Sequence, residues 1–155
     1  QFGHIATPDQ LMADRFEPMM RNRMSLREGP GAIECERLGR IAEALHTALL
    51  QSVPSHPGED PIMHVFPAWP REWDASFKLL TRGAFLVSSS IKSGTIGSVR
   101  IESLAGAECR LRNPWPQSRV TLERDGKQGA ETLQGSLLTI PTARGQVIVL
   151  QPDVR

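Results

Sequence analysis

The chain has 155 residues, 18 Lys and Arg against 17 Asp and Glu, a formal net charge of +1, and 39% hydrophobic residues. This composition is globular and excludes a wholly disordered chain. The basic residues are balanced by acidic ones and do not cluster, so the sequence shows no basic patch for nucleic acid. The longest apolar run, Val147 to Leu150, is far shorter than the roughly 18 to 20 residues of a membrane-spanning helix. We therefore expect no nucleic-acid partner and no membrane partner.

The first third of the chain predicts helices. A short helix is expected to open at Thr7, with Pro8 at its first position, and to stop at Pro18. A second, amphipathic helix is expected over about 35 to 52, because apolar residues recur there at steps of three and four: Leu38, Ile41, Ala42, Leu45, Ala48 and Leu49. The proline-rich stretch 53–61 ends it.

Beyond residue 61 the hydrophobic period falls to two, which is typical of half-buried strands. The alternation is clearest around Val99 and Ile101, around Cys109 and Leu111, and around Val120 and Leu122; further strand patterns cover 62–66, 77–80, 84–88, 137–140 and 146–150. Turn signals such as Ser93-Gly94 and Asp125-Gly126 separate most of these patterns. About eight strands at this spacing predict an antiparallel β-sandwich.

The expected fold class is therefore α+β, with a helical segment over 1–53, a linker over 54–61 and a β-sandwich domain over 62–155. Two helices with wide apolar faces need another helical layer to cover them, whereas the sandwich should fold alone. Because the helices look incomplete and the first residue is Gln1, we expect the chain to be the C-terminal piece of a longer protein. Its missing N-terminal partner would be a helical domain.

The junction between the two halves carries a resemblance to a known family. Leu49-Leu50-Gln51-Ser52, followed after a loop by the segment 62–70 (IMHVFPAWP), resembles the junction in glycoside hydrolase family 95, the α-L-fucosidase-like enzymes. The similarity continues through 73–77, 82–87, 104–106 and 110–115. It implies the last helices of an (α/α)6 barrel followed by a sandwich, a carbohydrate substrate acted on by the full-length protein, and an extracellular or periplasmic location.

The resemblance also indicates candidate catalytic residues. Glycoside hydrolysis needs a carboxylic acid for the leaving oxygen and a second carboxylate. The family carries an active-site carboxylate before the last barrel helix, which makes one of Glu34 and Glu36 the candidate, just after Gly29-Pro30-Gly31. Acidic residues in the first turn also stabilise a helix by about 0.3 to 1 kcal/mol, so a purely structural role stays open. The 155-residue chain alone is expected to be inactive.

Trp69 is the candidate substrate-binding residue, since pyranose rings stack on aromatic side chains; packing between a helical domain and the sandwich is the alternative. His64 lies in a strand pattern and is expected to be a packed histidine. Cys35 and Cys109 are expected to be free thiols. No cofactor and no metal site are predicted. The alternative function is a noncatalytic β-sandwich, either an accessory domain or a carbohydrate-binding one.

Overall fold

The structure is a computed structural model that describes residues 27–28, 32–33 and 35–153, with side chains described for 39–127 and 131–153. The helix predicted to open at Thr7 lies outside these residues. By its internal contacts the chain divides into two units, Gln1–Leu45 and His46–Arg155. The described part is mostly β-structure, with two main sheets, a two-stranded hairpin and one helix.

The elements follow in chain order. They are β1 (Arg27–Glu28), β2 (Ala32–Ile33), α1 (Cys35–Leu49), β3 (Leu50–Val53), β4 (Ile62–Val65), β5 (Ala75–Thr81), β6 (Phe85–Lys92), β7 (Thr95–Ser103), β8 (Cys109–Arg112), β9 (Val120–Arg124), β10 (Lys127–Leu133), β11 (Leu137–Ile140) and β12 (Val147–Pro152).

Helix α1 is amphipathic as predicted, with Ile41 buried and Arg40 exposed, but it is shorter than expected. It ends at Leu49, so the prediction of helix to residue 52 is wrong. Residues 50–53 instead form β3, which pairs antiparallel with β4 from Leu50 opposite Val65 onwards. A segment of only four residues, Leu-Gln-Ser-Val, fits a helix end or a strand equally well, and here the tertiary pairing decides.

The larger sheet has six strands in the order β10-β9-β12-β7-β6-β5, and every pair is antiparallel. Burial alternates along β6, where Val87 is fully buried and its neighbours are half-buried. The predicted turns at Ser93-Gly94 and Asp125-Gly126 join β6 to β7 and β9 to β10. All four residues have positive φ, as tight hairpin turns require.

The smaller sheet has four strands in the order β11-β8-β4-β3. Its central pair, β4 and β8, is parallel, with Met63 opposite Leu111. The prediction of an entirely antiparallel sandwich is therefore wrong at this pair. Parallel neighbouring strands cannot be joined by a tight hairpin and need a crossover connection. Here the connection from β4 to β8 runs through β5, β6 and β7, which belong to the larger sheet.

One hydrophobic core is shared by the two sheets, which gives a β-sandwich-like arrangement. Val99, Ile101 and Ile148 from the larger sheet and Met63 and Leu111 from the smaller one are at most 1% exposed. Ten strands contribute to the two sheets, rather than the eight predicted. The two that the sequence did not indicate are the edge strands β3 and β10.

The two sheets are also tied together by polar contacts at one end. The loop 104–108 leads from β7 to β8, and the loop 141–146 leads from β11 to β12, so each connects one sheet to the other. Ser103 Oγ accepts hydrogen bonds from Thr142 Oγ1 at 2.7 Å and from Gly106 N at 3.1 Å. These bonds fix the two crossover loops against each other.

Candidate functional site

The predicted catalytic position lies at the start of α1. Glu34 is outside the described residues, and Glu36 is the second residue of the helix, with its side chain outside the described part. The hairpin β1–β2 comes directly before it, with Arg27 opposite Ile33. A carboxylate at Glu36 is in the first helical turn, where free backbone N–H groups favour negative charge.

Trp69, the predicted sugar platform, is half-buried and packs against the hydrophobic core. Its indole Nε1–H donates to the carbonyl oxygen of Trp73 at 3.0 Å. The two rings meet edge to face, with centroids 6.0 Å apart and an interplanar angle of 76°. These contacts hold the indole in one orientation, a property that suits both packing and a stacking platform.

Trp115 is a plug at a strand end. Its indole packs against the core, and Nε1 donates to the carbonyl oxygen of Ile96 at 2.7 Å. Asn113 supports it, because Asn113 Oδ1 accepts from Trp115 N at 2.9 Å and Nδ2 donates to the carbonyl oxygen of Gly135 at 2.8 Å. The Asn-Pro-Trp segment is therefore bonded to strand β7 and to the loop before β11, and both side-chain polar atoms of Asn113 are paired.

A polar surface pocket of about 270 Å³ is lined by Gln117, Ser118, Arg119 and Asp153. The backbone holds its two sides together, since Asp153 N donates to the carbonyl oxygen of Arg119 at 2.8 Å. The four lining residues carry an amide, a hydroxyl, a guanidinium and a carboxylate. This donor and acceptor set matches the hydroxyl groups of a small polar ligand.

His64 and two arginines occupy the outer face of the smaller sheet. Arg110 and Arg112 lie on β8 and His64 on β4, all on the side away from the core. Burial and, second, the positive charge of Arg112 lower the pKa of His64 from its usual value. His64 is half-buried on this outer face. The expected packing of this histidine is therefore only partial, and it lies outside the core.

The other titratable groups give no catalytic pairing in the described part of the chain. His56 Nδ1 lies 3.3 Å from Glu59 Oε1, with both side chains well exposed. Cys109 is buried and free, and burial raises the pKa of its thiol to about 12. Within residues 35–153 no cluster of three His, Cys, Asp or Glu side chains is placed to hold a metal ion.

Sequence reasoning did not single out the pocket or the arginines of the smaller sheet. Gln117 and Asp153 are far apart in the chain and meet only because β9 and β12 are neighbours. Arg110 and Arg112 carried one signal, their spacing of two in a strand pattern, which places both on one face. Nothing local showed that His64 would stand beside them.

No protein-family model matches the chain, and no curated protein matches it. None of the helices in the described ranges has the length and apolar character needed to cross a membrane.

Proposed function

We propose that this chain is the C-terminal portion of a glycoside hydrolase of the family 95 type, α-L-fucosidase-like, acting on oligo- or polysaccharides. The observation that carries the proposal is the resemblance of 49–52 together with 62–70 to the family's junction. Helix α1 would then be the last helix of an (α/α)6 barrel, and the two sheets its C-terminal sandwich.

The hydrogen bonding around this junction supports treating its two segments as one unit. β3 pairs along its whole length with β4. Beyond the strands, Phe66 N donates to the carbonyl oxygen of Leu49 at 2.7 Å, and Ala68 N donates to that of Ala48 at 3.4 Å. The end of the helix is thus bonded directly to the segment that contains the Phe-Pro-Ala-Trp-Pro sequence. The two segments therefore form one hydrogen-bonded structural unit.

The proposed chemistry requires two carboxyl groups on opposite sides of a sugar, about 5 to 5.5 Å apart in a retaining enzyme and about 6.5 to 9.5 Å apart in an inverting one. The resemblance places one active-site carboxylate before the last barrel helix, so one of Glu34 and Glu36 would serve, and its partner would come from the preceding barrel. Alone, the 155-residue chain has no complete pair.

The test is activity of the full-length protein on aryl glycosides, with Glu34→Gln and Glu36→Gln made separately. We expect turnover to fall at least a hundredfold for one variant, the range of a lost general acid or base, and little for the other. Wild-type turnover in both variants would refute the site, and hydrolysis by the isolated 155-residue chain would refute the division of the catalytic pair.

A noncatalytic carbohydrate-binding sandwich is the second candidate, favoured by the polar pocket. Arg119 and Asp153, which both line it, would donate to and accept from vicinal sugar hydroxyls. Calorimetric titration with monosaccharides tests it: Asp153→Asn should weaken binding several-fold, whereas Asp74→Asn, remote in the chain on a loop before β5, should not. Equal loss in both variants, or no binding by the wild-type chain, would refute this role.

A further inference from the structure

The outer face of the smaller sheet carries two arginines and a histidine that form no ion pair with a carboxylate in the described part of the chain; we call it the basic face, and its residues are Arg110, Arg112 and His64. Arg110 and Arg112 are two residues apart on β8, so both point to the same side, roughly 6.6 Å apart along the strand. The parallel register sets Met63 opposite Leu111. The next residues, His64 and Arg112, therefore stand side by side on neighbouring strands, about 4.8 Å apart.

The charges of the basic face are not neutralised by carboxylates. The ion pairs within the described ranges join His56 to Glu59 and Arg124 to Glu131, and neither arginine of the basic face takes part. Arg110 is partly used, since its Nη1 donates to the backbone carbonyl of Asp60 at 3.0 Å. Arg112 is exposed, and its guanidinium has no hydrogen-bond partner among these residues.

The elements packed around His64 bring in little opposing charge. From β8 it faces Arg112, with Arg110 further along, and from β3 it faces Gln51, which is neutral. In the loop 54–61, the backbone oxygen of Asp60 accepts a hydrogen bond from Arg110. His56 and Glu59 of the same loop pair with each other. The repulsion between Arg112 and a protonated His64 is one cause of the lowered pKa of His64.

We propose that the basic face binds the carboxylate group of an acidic saccharide. Arg112 and His64 offer two adjacent groups of N–H donors for the two oxygens of one carboxylate, a planar partner that a guanidinium matches well. Arg110 supplies a second positive charge for a neighbouring uronate. The carboxylate follows from the charges of the face, and the saccharide rests on the proposed glycoside hydrolase function.

Proton linkage gives the binding a pH dependence of defined sign. The lowered pKa means that His64 is neutral over more of the pH range than an ordinary histidine. A carboxylate beside it stabilises the protonated form and raises that pKa on binding. Binding is therefore tighter at low pH and weakens as pH rises through the pKa of His64. Because the face is exposed, added salt also weakens binding.

The test is calorimetric titration of the 155-residue chain with trigalacturonate, and with galactotriose as the uncharged ligand of the same length, at pH 5.5 and 7.5. We expect trigalacturonate to bind and galactotriose not to bind. Trigalacturonate should bind more tightly at pH 5.5 than at pH 7.5. Arg112→Gln should weaken it about tenfold, equal to about 1.4 kcal/mol. Arg100→Gln is the matched control, an exposed arginine on strand β7 of the other sheet, and should leave the affinity unchanged.

A nuclear magnetic resonance titration of the histidine side chains gives a readout independent of affinity. Trigalacturonate should raise the pKa of His64, and galactotriose should leave it unchanged. Equal effects of Arg112→Gln and Arg100→Gln, binding of galactotriose with similar affinity, equal binding of an acidic hexapeptide, or preference for a sulfated trisaccharide would each overturn the proposal. If the full-length enzyme hydrolyses glycosides but the basic face does not bind trigalacturonate, this inference is wrong and the proposed function is unaffected.

Discussion

Replacing Gly106 by alanine tests the polar tie between the two crossover loops. Gly106 has φ +79°, and an added Cβ would lie 2.8 Å from the backbone nitrogen of Arg144 and 3.3 Å from the carbonyl carbon of Ala143. The obstacle is backbone, so no side chain can rotate away. The loops must separate, and the hydrogen bond from Gly106 N to Ser103 Oγ is at risk.

The expected loss of stability has two parts. An L-residue in the left-handed region costs about 1–2 kcal/mol, and forcing extra volume into a tight contact costs about 1–3 kcal/mol. Gly145→Ala is the matched control, because Gly145 lies in the other crossover loop with the same φ of +79° but has nothing within 4 Å of the added Cβ. Gly145→Ala therefore incurs the cost of the left-handed backbone conformation without the cost of the close contact.

Urea denaturation followed by far-ultraviolet circular dichroism measures both variants. We expect Gly106→Ala to lower the free energy of unfolding by about 1–3 kcal/mol more than Gly145→Ala, with the same dependence on urea. In thermal unfolding each kcal/mol corresponds to about 2–4 °C in a chain of this size. Equal losses in the two variants would show that the close approach of the loops contributes nothing, and our reasoning about this end of the sandwich would fail.

Three further predictions follow from single side chains. Trp69→Phe should lower stability by about 1 kcal/mol through loss of the Nε1–H bond to Trp73, and Trp69→Ala by about 2–4 kcal/mol, measured by urea denaturation; unchanged stability in both would refute the packing role. Burial raises the pKa of Cys109 to about 12, so its thiol should resist alkylation in the native protein at pH 8 and react after denaturation, and stability should fall as pH rises from about 9 towards 12. Arg112→Gln should raise the pKa of His64 without ligand, since one cause of its depression is removed; an unchanged pKa by nuclear magnetic resonance would contradict their adjacency.

The strands with buried apolar residues at every second position could be predicted from the sequence, because one face of each is covered by the core. Val99 and Ile101 on β7 and Val120 and Leu122 on β9 are of this type. The hairpin turn at Asp125-Gly126 was equally clear, since both residues tolerate positive φ. Local chemistry and tertiary packing agree at these positions.

The edge strands β3 and β10 could not be predicted, because their sequences lack an apolar residue at every second position. β3 follows the helix without a break, and β10 is polar with a register shift between Gln128 and Glu131, so neither shows a strand period. The parallel pairing of β4 with β8 is a property of topology rather than of either strand. The basic face depends on this pairing, and the pocket depends on the pairing of β9 with β12. Arg112 and Asp153 therefore carried no functional signal of their own.

The parallel pair also has a consequence for the order of folding. β5, β6 and β7 form a local meander, and β3 pairs with β4 across one short loop. The other edge of β4 must wait for β8, which follows only after the meander, so the smaller sheet depends on non-local pairing of the slow kind. During synthesis at about 5–20 residues per second, the apolar strand Ile62–Val65 stays half-paired until residue 111 has emerged. We therefore expect β4 to be the segment most open to pairing with a wrong strand in a nascent or refolding chain.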